Sequence, residues 1–121
     1  KVSLTLASVC AFGRPKKSAR TKTARTYGRF DLLGISSRFF NASNQIYGKP
    51  GYMHAKVIVV DGEKAWIGSV NGSTGSMTRN REFGVVFDQP EWVEKTLAVV
   101  SDDHASPNTE TWQESLDCFK D

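Results

Sequence analysis

Val2, Leu4 and Leu6 alternate with Ser3 and Thr5, and residues 7–12 continue largely apolar, so the chain opens on a predicted strand. Residues 13–25 break that pattern with Gly13, Pro15 and a run of charges; they read as a loop or as the start of a helix. Residues 23–33 fit a helix ending near Gly34 as its C-cap, and residues 35–40 a second short strand. Residues 41–52 hold Gly48, Pro50 and Gly51 and predict a loop.

Residues 53–61 predict the central strand. Val57, Ile58, Val59 and Val60 are apolar on both faces, the pattern of a strand covered on two sides in an α/β layer fold. Gly62 turns the chain, residues 65–69 pair back, residues 71–80 form a polar loop or short helix, and residues 81–88 form a further strand. Pro90 suits the first turn of a helix, with Asp88, Glu91 and Glu94 near its positive end and Val93, Leu97 and Val100 on its buried face. A last helix over residues 109–119 places Trp112, Leu116 and Phe119 at core spacing.

The chemistry concentrates around the central strand. His54 and Lys56 lie two residues apart, so an extended strand points both side chains the same way. Ser69 and Asn71 repeat that spacing. An imidazole, an ammonium and neutral donors aimed at one spot suit a phosphoryl group: a nucleophile or proton carrier, plus partners for anionic oxygens. For an isolated H-x-K pair, a structural histidine beside a solvated lysine is the simpler reading. Here Asp61, Gly68, Ser69, Asn71 and Glu82 follow in register.

That register, His54, Lys56, Asp61, Gly68, Ser69, Asn71 and then Glu82, resembles the HKD motif of the phospholipase D superfamily with every spacing kept. The resemblance is tightest over residues 51–88. It implies an α/β, phospholipase D-like layered fold, a mixed β-sheet flanked by helices. It also implies phosphodiester hydrolysis or phosphatidyl transfer on a phospholipid through a phosphohistidine. His54 would then be nucleophile or acid/base, and Lys56, Ser69 and Asn71 would hold the phosphate oxygens. Glu82 would orient a histidine. Asp61, the family's third letter, starts on the opposite face from His54 and reads as a structural anchor. Two histidines are needed, and the other one, His104, lacks the H-x-K spacing and reads as a surface residue. We therefore expect residues 1–121 to form a single domain with one motif, an incomplete half of a larger catalytic unit, the C-terminal half of a two-motif phospholipase D-like protein. Its partner would be a second HKD half, in the same full-length chain or in a homodimer.

Charge widens the choice of substrate. The net charge of +3 hides 11 basic residues against one acid in residues 1–60, and 5 against 12 in residues 61–121. Seven of the cations fall between Arg14 and Arg29. Such a cluster serves nucleic acid, anionic headgroups or solubility, so the alternatives are a nuclease of the same superfamily, binding through residues 14–29, or a non-catalytic interaction domain that keeps the fold. Aromatic interleaving there is thin, which weakens a stacking platform for single strands. No set of His, Cys and carboxylates stands at metal-ligand spacing, and no cofactor is expected. Cys10 and Cys118 are expected as buried unpaired thiols, with a disulfide between the first strand and the last helix as the other option. No apolar run approaches a membrane span and no signal peptide opens the sequence, which assigns the chain no compartment.

Overall fold

The computed structural model describes residues 2–8, 10, 16–41 and 52–119. The expected loop over 41–52 lies outside these apart from its two ends. So do Gly13, Arg14, Pro15 and, from the apolar run behind the first strand, Val9, Ala11 and Phe12. The chain divides into two compact units, Lys1–Met53 with Asp103–Asp121, and His54–Asp102.

The first unit holds a mixed three-stranded sheet. Strand β1 (Ser3–Leu6) pairs in parallel with β2 (Ser36–Phe40), and β2 pairs antiparallel with the short β6 (Thr109–Glu110). Parallel neighbours need a crossover, supplied by helix α1 (Lys17–Leu32). The helix takes in the charge run that the sequence left between loop and helix. It stops where expected: Gly34 adopts φ +71°, its N–H donates to Asp31 O (3.0 Å), and Ile35 N–H donates to Phe30 O (2.9 Å). These two bonds satisfy carbonyls of the last turn, and the left-handed position favours glycine. Tyr27 of α1 meets the fully buried Phe39 edge-on at 4.8 Å, and Leu116 completes the core.

Several expectations are corrected in this unit. Residues 109–119 do not form one helix: Thr109 and Glu110 join the sheet, α4 (Trp112–Ser115) follows, and Leu116–Phe119 tighten into a 3-10 turn. The break arises because Thr111 caps α4 with a reciprocal Glu114 box, which requires extended backbone at 111. Trp112 is half-buried rather than core, its indole N–H donating to Asp31 Oδ2 at 2.7 Å. The thiols are not free. Cys10 and Cys118 form a disulfide, because the segment that follows β1 and the C-terminal turn meet with Cα atoms 6.3 Å apart. His104 is not a surface residue: it is half-buried, with Nδ1 3.1 Å from Thr5 Oγ1 and Nε2 2.9 Å from Ser36 Oγ.

The second unit is an antiparallel sheet of β3 (Val57–Val60), β4 (Lys64–Gly68) and β5 (Gly84–Phe87), with α2 (Thr74–Thr78) between the last two strands and α3 (Pro90–Ala105) behind them. Helix α3 begins at Pro90, where the missing N–H costs nothing. Val93 of α3 and Ala65 of β4 are buried, while Leu97 of α3, expected inside, is 40 % exposed. Val57 and Ile67 line a groove with Trp92 and Val99 of α3. The opposite face carries Ile58, Val60, Trp66 and Val86, and three of these are more than half exposed (58 %, 53 % and 69 % for Ile58, Val60 and Val86). The expectation of a strand covered on both sides is therefore corrected: within this unit one face of β3 is left uncovered. The class is α/β as expected, realised as two small sheets flanked by helices.

Candidate active site

The predicted strand over 53–61 is shorter than its sequence implied. Residues 52–56 carry no regular structure, so His54 and Lys56 are not aligned by a pleat. Their association is of another kind: the Lys56 ammonium donates to the backbone carbonyl of His54 at 2.6 Å. His54 itself is exposed and Lys56 half-buried. The ladder does reach Lys56, since Gly68 N–H donates to Lys56 O at 3.1 Å.

Gly68 sets the geometry that follows. A Cβ there would stand 2.6 Å from Phe83 O and 2.4 Å from the Trp66 ring, so only glycine lets β4 and β5 close at this point. The chain emerges from that contact at Ser69. Its N–H donates to Phe83 O (2.9 Å), its Oγ accepts from Phe83 N–H (3.1 Å), and its hydroxyl proton goes to Glu82 Oε2 (2.5 Å). Ser69 and Glu82 are thus brought together by the antiparallel register that pairs Gly68 with Gly84.

The other carboxylate oxygen is held from the connecting segment. Ser73 caps α2, its Oγ accepting from Ser76 N–H at 3.3 Å. This fixes Ser76, which is buried; its Oγ accepts from Asn71 N–H at 2.8 Å and donates to Glu82 Oε1. Asn80 Nδ2 adds a third donor at 3.2 Å. Donation from Ser69 first, then Ser76, holds the Glu82 carboxyl below the usual carboxylate range, with smaller help from Asn80 and the Lys56 charge and some opposition from desolvation. Desolvation lowers the Lys56 ammonium, and the negative charge of Glu82 partly offsets that shift.

The arrangement is therefore an ionised carboxylate held by hydroxyl and amide donors, a lysine in its field, and an exposed imidazole two residues from that lysine. Asn71 reaches it through its backbone N–H, anchored on Ser76. Asp61 stands elsewhere, at the far end of β3. It has φ +54° beside Gly62 at +72°, and Glu63 N–H donates to Val60 O across the turn at 3.0 Å. An Asp-Gly pair with both φ positive is the turn that matches the strand twist of a hairpin. Ser76 and Asn80 went unread in the sequence. The signals that could have found them are the Ser73-x-x-Ser76 cap spacing and the Asn80-x-Glu82 pair. Among the described residues, no three or more His, Cys, Asp or Glu side chains cluster as a metal site would.

A family model described as cardiolipin synthase, PLD-like domain matches residues 12–103, well over half of the chain and the whole of the stretch from His54 to Glu82. No curated protein and no solved structure gives a significant match.

Proposed function

Because the chain belongs to the cardiolipin synthase, PLD-like domain family, we propose that it contributes one half of a phosphodiester-cleaving site that acts on a phospholipid, by hydrolysis or by phosphatidyl transfer. Membership supports phosphodiester and phospholipid chemistry at the level of the superfamily; the roles below are our own assignment. The observation that carries it is the cradle of Ser69, Ser76 and Asn80 around Glu82, with Lys56 in its field and His54 attached to Lys56.

In this reading an imidazole nitrogen attacks phosphorus, the bond to the leaving oxygen breaks, and a second histidine protonates that oxygen. Water or an alcohol, deprotonated by the same second histidine, then displaces the first from phosphorus. His54 takes one of these roles. Lys56 and Asn71 hold the non-bridging oxygens, and Glu82, kept ionised by its donors, accepts a ring N–H and fixes a histidine's tautomer. Ser69, first assigned to the phosphate, directs its one proton to Glu82 in this arrangement and serves the carboxylate instead. Asp61 holds the hairpin turn.

The second histidine comes from another HKD half. His104 is engaged at both ring nitrogens by hydroxyls, which supports a structural role for it. The open apolar face of Ile58, Val60 and Val86 supports a further packed layer.

The test compares wild type with His54→Asn and Lys56→Ala in the full-length active assembly, on phosphatidylcholine, phosphatidylglycerol and DNA, with and without EDTA. His54→Asn abolishes turnover, Lys56→Ala lowers it on the order of 10²–10³-fold, and chelation leaves it unchanged. Activity within tenfold of wild type in either variant removes the assignment. Cleavage of DNA in place of lipid moves the protein to the nucleases of the superfamily.

A further inference from the structure

Helix α1 presents an unusual solvent face. Lys17, Lys22, Arg25 and Arg29 share one side of the helix, Lys16 and Arg20 carry the charge around its N-terminal turns, all six are exposed, and among the described residues none of them forms an ion pair. The helix holds no acid before Asp31, whose carboxylate accepts from the Trp112 indole at 2.7 Å. The opposite face carries Ala19, Thr23, Thr26, Tyr27 and Phe30, all partly buried, with Tyr27 packed edge-on against Phe39.

Two leucines do not fit a merely soluble helix. Leu32 is 88 % exposed and Leu33 74 %. At about 100° per residue, Leu32 falls within the cationic arc, close to the line of Arg25 two turns earlier. Scattered exposed apolar residues are ordinary. An adjacent pair is different: it stands at the end of a face that bears mainly cations and small polar groups, and it leaves most of its surface to solvent.

We propose that this face docks the protein onto an anionic lipid bilayer, the cations lying against the headgroups and Leu32 and Leu33 entering among the acyl chains. The leucines decide the kind of partner. A membrane interface rewards both a basic face and an apolar insertion, whereas a nucleic-acid backbone offers leucine nothing. The aromatics that could stack on bases, Tyr27 and Phe30, are turned toward the core and against each other.

The experiment is sedimentation of the full chain with vesicles of phosphatidylglycerol in phosphatidylcholine, with vesicles of phosphatidylcholine alone, and an equilibrium titration with duplex and single-stranded DNA at the same salt. This binding readout is independent of turnover. We expect binding to the anionic vesicles only, lowered about fivefold per lost cation, hence on the order of twentyfold in Arg25→Gln/Arg29→Gln. Leu32→Ser/Leu33→Ser should weaken vesicle binding by about tenfold or more. Both variants alter exposed positions, and unchanged thermal melting confirms that each is folded. Equal binding to neutral and anionic vesicles, or wild-type vesicle binding by the leucine variant, overturns the proposal. DNA binding that is tighter than vesicle binding, lost with the arginines and indifferent to the leucines, makes the face a nucleic-acid surface instead.

Discussion

At the scale of residues, Glu82 depends on neighbours that its own stretch of sequence does not advertise. His54, Lys56, Ser69, Asn71 and Glu82 were legible as candidates, their roles still a proposal, because their spacing matches a motif and their side chains differ in chemistry. Ser76 was not, because a serine in a polar run is indistinguishable from any solvated loop residue until the backbone turns it inward. Its removal is therefore informative. Ser76→Ala takes away one of the two hydroxyl donors that lower the Glu82 carboxyl, so that carboxyl should titrate closer to its ordinary value, and carbon-13 NMR of the side-chain carboxyl will read the change. An unmoved titration shows that Ser69, Asn80 and the Lys56 charge set the shift without Ser76. The sign for stability follows from the same depression. Glu82 contributes fully above its unfolded value, and the contribution is lost as pH falls through the lower folded value. Glu82→Gln should accordingly flatten the acid limb of the stability profile and leave the neutral plateau little changed in slope.

At the scale of elements, alternation and caps located most of the strands and both long helices, and the errors have a common cause. The predicted strand over 53–61 lost its first four residues because a strand needs a partner. β4 ends at Gly68, whose N–H reaches Lys56, and the next residue, Ser69, bonds across to Phe83 instead. Hydrophobic pattern carries no information about where a neighbour turns away. The covered-on-both-sides reading of Val57–Val60 failed similarly: composition shows that both faces can be buried, and α3 covers only one. Gly68 was legible as a motif letter, but its physical reason appears only when β5 is in place. Gly68→Ala must displace the Trp66 ring and the Phe83 carbonyl, at a cost on the order of 1–3 kcal/mol. It should also lengthen the Ser69–Glu82 contact. Thermal unfolding measures the first effect and the Glu82 titration the second; a variant with wild-type melting and titration shows that the strands close without this contact.

At the scale of the whole chain, the sequence left the cysteines open because their separation, 108 residues, says nothing about distance in the fold. The resolution lies in the topology. Both cysteines belong to the unit that is assembled from the two ends of the chain, with residues 54–102 forming the other unit between them. In that first unit the N-terminal and C-terminal parts also share the two-residue β2–β6 ladder, the Asn41 bonds to Asn108 and Glu110, the Arg38 bonds to Thr109, the Asp31–Trp112 bond and the hydroxyls at His104, and each gives a buried residue to the core, Phe39 and Leu116. A cross-link closing a loop of this length removes about 4–5 kcal/mol of denatured-state entropy on the chain-entropy model, which is comparable to the whole stability of many small domains. Reduction, or Cys10→Ser with Cys118→Ser, should therefore act unevenly. Native-state hydrogen exchange should show the amides of β1, β2 and β6 losing protection before those of β3, β4 and β5, which hold together through contiguous hairpins that need no distant closure. Equal loss in both sheets would mean that the two units unfold as one cooperative body. No loss in either would mean that the sheet and core contacts already join the chain ends without the bond.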